Sequence, residues 1–188
     1  MNDDTASTSP SSSPARFALH ALKYGAGAGL LGGLWMIADY ALGFQTDHMD
    51  IGRWTHLGGM IIPIAAVILG MMSWRNNALG GRIRFVQAFG MALAVGLVFA
   101  LFIGGAAWLQ TARLAPELIP HRIDQQAIAA AQQPNSNPDE IAKQAELAKQ
   151  QTTPVAFAKM MFSYSLMQSL FIGLIASITV PKQRPGLQ

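Results

Sequence analysis

One carboxylate stands out as a group that could do chemistry, because it lies inside a long apolar run. Asp39 belongs to the run of residues 21–44. An ionisable side chain in such a run is costly to bury, which makes it a candidate for proton or ion relay. Tyr164 and Gln168, in a later apolar run, and Arg53 are the partners we expect for it. Asp39 also lies only five residues from the end of its run, about 7 Å along a helix, so the alternative is a structural position near the polar boundary.

A second candidate is the short polar segment of residues 47–56, which contains two histidines and two aspartates. Imidazole and carboxylate groups suit Zn²⁺ or Mn²⁺, and the candidate ligands are His48, Asp50 and His56. A zinc-binding helix places its histidines four residues apart, whereas these two are eight apart. A polar turn of solvated residues fits this spacing better, and we expect neither a metal nor another cofactor.

Catalytic groups are scarce elsewhere. The chain has no cysteine, which excludes thiolate nucleophiles and disulfides. The serines near residue 165 have no histidine in the same run to serve as a base, so we expect no enzyme. The net charge of +3 is small and is not concentrated in one patch, which argues against nucleic acid as a partner.

Four apolar runs must position these groups. The chain is 51% hydrophobic and only 12% charged, about half the charged fraction of a soluble domain. A helix needs roughly 20 apolar residues to cross a bilayer, and four runs satisfy this. The spans are predicted at residues 21–44, 57–74, 85–112 and 160–180.

The predicted fold is therefore all-α, a bundle of four transmembrane helices with a long, partly helical outer loop at residues 113–159. The membrane domain covers residues 17–182. Residues 1–16 are rich in Ser, Thr, Pro and Asp and are predicted to be disordered, because they have almost nothing to bury.

Basic residues predict the orientation, since they are enriched in short cytoplasmic segments. They flank the first span, the second connection and the C-terminal tail: Arg16, Lys23, Arg75, Arg82, Arg84, Lys182 and Arg184. We therefore expect a multi-pass protein of a bacterial inner membrane with both termini in the cytoplasm. Trp54, Trp74 and Trp108 fall at span ends, where interfacial aromatic residues are typical. Gln87 and Gln110, at the two ends of the third span, are also expected to be interfacial.

Small residues recur every fourth position in three of the runs, which is typical of close helix packing in lipid. They are Gly25, Gly29 and Gly33; Ala92, Gly96, Ala100 and Gly104; and Ser165, Ser169, Gly173 and Ser177. We expect these stripes to pack within one chain, because short connections hold the first three helices together. Dimerisation between chains is the alternative. In the second run, Pro63 predicts a kink.

The outer loop should contain two short helices. Residues 122–132 have an amphipathic pattern, and a second helix is predicted to begin at Pro138 with Asn137 as its N-cap. A solvated helical hairpin and a lid or partner surface over the outer end of the bundle are the two interpretations.

Three motifs carry a family resemblance. Lys23-Tyr24-Gly25 lies at the start of the first span, Pro120 lies early in the loop, and the start of the third span contributes Phe85, Gln87, Ala88 and Gly90. With these motifs, residues 17–182 resemble the bacterial family called domain of unknown function 4199. The resemblance implies a multi-pass inner-membrane protein and brings no activity, cofactor or catalytic residue.

Two functions remain open. The first is a structural or interaction subunit, whose partners are the lipid bilayer and either a second copy of the chain or another membrane protein. The alternative is a small transporter, or an ion- or proton-conducting protein, that acts as an oligomer through Asp39. A cavity containing Asp39 would favour the alternative, whereas a dry, tightly packed bundle would favour the first.

Overall fold

The computed structural model describes residues 13–46, 48–133 and 136–179, and the elements in these ranges are helical. The helices are α1 (Pro14–Ala41), α2 (Met49–Gly59), α3 (Ile61–Ala78), α4 (Phe85–Leu109), α5 (Leu118–Ala131), α6 (Pro138–Gln151) and α7 (Pro154–Thr179). A π-helical turn, Gln110–Leu114, continues directly from α4. The prediction of an all-α fold is confirmed.

The long helices α1, α3, α4 and α7 form a bundle in which α4 contacts the other three. Helices α1 and α4 run in the same direction, whereas α3 and α7 run in the opposite direction. One end of the bundle holds the C-terminus of α1 together with α5, and we call it the Asp39 end. The other holds the C-terminus of α3, and we call it the Trp74 end.

Within the described residues, three helical stretches are long and apolar enough to cross a membrane: Trp54–Ala78, Phe85–Leu114 and Pro154–Thr179. They contain the second and third predicted spans and the described part, residues 160–179, of the fourth. Helix α1 is as long as the others but is not among them. Its five glycines contribute little hydropathy, and Lys23 and Asp39 lower the mean further.

Helix α1 begins before the predicted first span and before the end of the segment predicted to be disordered. The Ser13 hydroxyl caps it by accepting the Arg16 N–H, and Pro14 occupies the first turn. Proline suits this position because its missing N–H would have no partner there. Residues 14–16 are therefore helical, and residues 1–12 of that segment lie outside the described residues.

The predicted kink at Pro63 takes the form of a break between α2 and α3 at Met60. Proline has no N–H to donate to the carbonyl four residues earlier, which here belongs to Gly59, the last residue of α2. Met60 keeps a right-handed helical backbone (φ −67°, ψ −20°), so Trp54–Ala78 remains one helical stretch that is interrupted at this residue.

The small-residue stripes lie where helices meet. A methyl group placed on Gly25 or Gly29 would come within 2.6 Å of Val98 Cβ or 2.4 Å of Phe102 Cβ, respectively, on α4. On its other side, α4 meets α7, where Gly96 faces Ser169 and Gly173 faces Ala92. The stripes thus bring α4 close to both neighbours within one chain.

The bundle is densely packed toward the Trp74 end. Met71, Met91 and Val95 are fully buried there. Trp74, predicted to be interfacial, is only 4% exposed, because its ring packs against Phe17 and His20 of α1 at centroid distances of 5.4 Å. Trp54 and Trp108 are exposed, at 70% and 42%.

The loop between α4 and α7 contains both predicted helices. Asn137 caps α6 as expected, because its side chain accepts the Asp139 N–H at 3.2 Å. Helix α5 begins four residues earlier than predicted, and its buried Leu118 and Ile119 dock it on the bundle. Helix α6 has no buried residue and is held to α5 by the Lys149–Asp124 ion pair at 2.7 Å. Helix α5 therefore covers the Asp39 end, and α6 lies outside it.

Candidate functional site

A partly open cavity of about 450 Å³ lies in the Asp39 half of the bundle. Helices α1, α2, α3, α4, α5 and α7 all contribute to its wall. The apolar part of that wall includes Trp35, Met36, Ile62, Phe99, Ile103, Phe157 and Met161. The polar part consists of Asp39, Gln45, His56, Gln110, Arg122, Tyr164, Ser165 and Gln168. A mainly apolar pocket of this size with a few polar groups is typical of a small-molecule site.

Asp39 is held at the wall by a residue of α2. The Thr55 hydroxyl donates to Asp39 Oδ1 at 2.5 Å, and the Trp35 indole N–H donates to the Thr55 carbonyl at 3.2 Å. Asp39 is half-buried rather than enclosed in the bundle. Of its predicted partners, Tyr164 and Gln168 share the cavity with it, and the side chain of Arg53 lies outside the described residues.

Arg122, from α5, supplies a cation to the same wall. Its Nη2 donates to Gln45 Oε1 at 2.9 Å, and Gln45 Nε2 in turn donates to the Met36 carbonyl at 2.9 Å. The guanidinium lies 5.7 Å from the ring centre of Phe157. Burial lowers the pKa of Arg122, and the negative charge of Asp39 opposes that shift. The guanidinium of Arg122 is therefore partly removed from water, and its hydrogen-bond partner is a neutral amide.

A further hydrogen bond joins the segment just before α5 to α1 at the Asp39 end. The Tyr40 hydroxyl of α1 donates to Glu117 Oε1, just before α5. This hydrogen bond favours the ionised carboxylate and lowers the pKa of Glu117. Together with the Arg122–Gln45 bond, it fixes the start of α5 over the C-terminus of α1.

Two amides in the cavity wall lack hydrogen-bond partners within the described residues. They are Gln110 Nε2, on the π-helical turn, and Gln168 Nε2, on α7. Gln110 is only 1% exposed, so its side chain lies inside the protein and not on its surface. The π-helical turn widens the helix where Gln110 stands and closes with the Ala115 N–H donating to the Gln110 carbonyl at 2.7 Å. Such turns often occur at functional sites.

The structure brings all three residues of the predicted polar site, Asp39, Tyr164 and Gln168, to one cavity. Sequence reasoning missed Arg122, Gln45 and Gln110 as members of it. The helical pattern of the loop had placed Arg122 on α5, but nothing in the sequence indicates that this face of α5 turns toward α1. The buried position of Gln110 depends on the π-helical turn, which has no recognised sequence signal.

The predicted metal ligands do not come together in the part of the chain that can be assessed. No three His, Asp or Glu side chains there are close enough to hold a metal ion. His56 lines the cavity, whereas His48 is exposed. Asp47 and the side chain of Asp50 lie outside the described residues, so the expectation that this segment binds no metal stays a prediction.

Comparison with known proteins gives one match. A family model described as "Protein of unknown function (DUF4199)" matches residues 23–181. No curated protein and no solved structure matches the chain.

Proposed function

Because the chain belongs to the DUF4199 family, whose description states no activity, we propose a function from the cavity: a small membrane transporter or carrier that binds a molecule at the Asp39 end. The observation that carries this proposal is the partly open cavity of about 450 Å³ with two buried amides that lack partners among the described residues. An unpaired buried donor costs about 1–3 kcal/mol, and a bound molecule with acceptor groups would remove that cost. The proposed role is binding and transfer, not catalysis.

In the membrane, the proposal has α1 cross the bilayer together with the three apolar stretches, as a four-helix bundle of a bacterial inner membrane. Helix α1 supports this because it has the length of its neighbours and packs along α4 through Gly25 and Gly29. The distribution of basic residues supports a cytoplasmic location of both termini. The cavity then opens toward the outer side beneath α5.

Binding agrees with the geometry better than ion conduction along Asp39. The cavity wall reaches only as far as Phe99 and Gln168, and beyond them Met71, Met91 and Val95 are fully buried. A conducting path would need an opening through that half as well. The other prediction, a purely structural or interaction subunit, is favoured by a dry bundle and gains no support from an open cavity.

Site-directed labelling tests the proposal, since the chain has no cysteine to remove. Gln168→Cys places a thiol in the cavity, and Ser169→Cys, one residue away, places one in the α4–α7 contact, where the position is 1% exposed. A membrane-impermeant thiol reagent added from outside should modify Cys at 168 and leave Cys at 169 unmodified. Equal lack of reaction at both positions, in protein that is folded and inserted, would contradict an accessible cavity.

A further inference from the structure

We propose that the ligand is a membrane amphiphile with an anionic headgroup and one apolar chain, with the headgroup in the cavity and the chain in a groove between α3 and α7. This inference rests on the proposed binding function and names the class of molecule bound.

The groove supplies the place for the chain. It is a second cavity, of about 360 Å³, open along the side of the bundle. Its wall is apolar apart from Tyr164 and Gln168, and includes Ile64, Phe171 and Ile175. Ile64 and Phe171 are 38% and 63% exposed. A groove of this composition on a spanning helix pair suits a hydrocarbon chain from the surrounding lipid.

The cavity and the groove adjoin each other and share part of their lining. Met60, Tyr164 and Gln168 line both of them. The junction therefore lies where α3 begins after its break and where Gln168 holds an unpaired amide nitrogen. A molecule that spans the junction would place its polar end among the polar groups of the cavity and its apolar end in the groove.

The polar groups of the cavity favour an anionic headgroup. Arg122 has a neutral amide, Gln45, as its hydrogen-bond partner, and no carboxylate lies within ion-pair distance of it among the described residues. Gln110 and Gln168 add two amide donors. Asp39, the acid in the wall, accepts the Thr55 hydroxyl and keeps its negative charge, so the anionic headgroup has to lie on the side of Arg122 and the two amides. The two unpaired amides, together with the N–H groups of Arg122 that Gln45 does not use, match the oxygens of a carboxylate or phosphate.

The experiment uses the full chain in phosphatidylcholine nanodiscs and a photoreactive C18 fatty acid whose diazirine is in the chain. The matched competitors are oleate and the primary alcohol and primary amine with the same chain, which differ from oleate only in the headgroup. The acid should label groove residues such as Met167 and Phe171, and excess oleate should remove that labelling. The alcohol and the amine should compete at least about tenfold more weakly, since one charged hydrogen bond corresponds to roughly a tenfold change in affinity.

The variants locate the headgroup. Arg122→Gln should weaken competition by oleate about tenfold, the same change expected for loss of one charged hydrogen bond. Arg113→Gln, an exposed arginine at the end of the π-helical turn, should leave it unchanged. Gln168→Leu, which keeps the charge at the site and removes an amide donor, should also weaken it. The exposed Leu69 and Leu97, which line neither the cavity nor the groove, report labelling that excess oleate does not remove.

The outcomes separate the two proposals. Equal competition by acid and alcohol in the unmodified chain would overturn the anionic headgroup but leave the binding function standing. Competed labelling at Met36 and Phe157 with none in the groove would overturn the path of the chain. If no competed labelling occurs anywhere while Cys at 168 reacts from outside, the amphiphile is wrong and the accessible cavity remains. If Cys at 168 is unreactive as well, both proposals fail.

Discussion

At the scale of single residues, the unpaired amide of Gln110 should lower the free energy of unfolding of the unliganded protein. The amide nitrogen is buried and has no partner in the described part of the chain. Gln110→Met keeps the shape of the side chain and removes the unpaired donor, so we expect it to raise the free energy of unfolding by about 1–3 kcal/mol. Thermal unfolding in detergent or nanodiscs measures the change.

A second glutamine on the same helix provides the control, with the opposite sign. Gln87 Oε1 accepts the Arg84 N–H at 3.0 Å at the start of α4. Gln87→Met should therefore lower stability by about 0.5–1.5 kcal/mol, the net value of one hydrogen bond. A loss of stability in both variants would indicate that the Gln110 amide is satisfied in the folded protein.

The same two glutamines show how far the environment of a single residue could be predicted from the sequence. Both were predicted to be interfacial from their places at the ends of an apolar run. Gln87 is exposed, but Gln110 is buried because the π-helical turn and α5 enclose it. Asp39 was identified because a charge in an apolar run is visible without knowledge of the fold. Its neighbour Arg122 lies 83 residues away in the chain, and its position depends on how α5 docks.

At the scale of helices, close contact between α4 and α7 depends on Gly96. A methyl group there would lie 2.4 Å from Ser169 Cβ, which is closer than two carbon atoms can approach without a shift of the backbone. Gly96→Ala should therefore separate the helices and lower the unfolding temperature. Gly105→Ala, on the same helix, meets no atom within 4 Å and should be neutral or slightly stabilising. Equal effects of the two would contradict the contact.

The pairing of α5 with α6 should depend on pH. Hydrogen bonds to Asp124 and Glu146 raise the pKa of Lys149. A raised pKa means that the ion pair contributes fully below pH 10.5, the usual value for lysine, and is lost as pH rises through the higher folded value. Spin labels on α5 and α6 should therefore move apart above that pH. Lys149→Met should remove the transition, whereas Lys143→Met, on the exposed face of α6, should keep it.

Helices were predicted from sequence where local chemistry determines them. Asn137 and Pro138 start α6 as expected, because an N-cap and a first-turn proline act within four residues. The start of α5 was predicted four residues late, since Leu118 and Ile119 are held by contacts with the bundle and not by a local cap. Trp74 was predicted to be interfacial from its place at the end of a span. Its burial depends on contacts with α1, which the local sequence does not show.

At the scale of the whole molecule, orientation is the prediction to test. Gln126 on α5 and Asn77 at the end of α3 are both exposed and lie at opposite ends of the bundle. With single cysteines at these positions, an impermeant thiol reagent should label Gln126→Cys in intact cells. It should label Asn77→Cys only after the membrane is opened. The reverse pattern would contradict cytoplasmic termini, and labelling of both from outside would contradict membrane crossing by α3.

The number of apolar runs was visible in the sequence, but their arrangement was not. Three of the four predicted spans lie in stretches that meet the length and hydropathy needed to cross a membrane. The fourth, α1, has glycines that reduce its hydropathy and at the same time allow it to approach α4. The cavity is formed by residues of six helices, and no periodicity within one helix contains that information.

The π-helical turn at Gln110–Leu114 has a consequence for how the family can diverge. Such a turn holds one residue more than the α-helical turn that it replaces. Deleting one residue there would convert it to an α-helical turn and rotate the residues after the deletion, on the same helix, by about 100°. The chain would then leave that helix in a different direction toward α5, which residues 115–117 connect to it. A deletion of one codon could therefore change how α5 covers the site, and chain length at residues 110–114 would record such a change within the family.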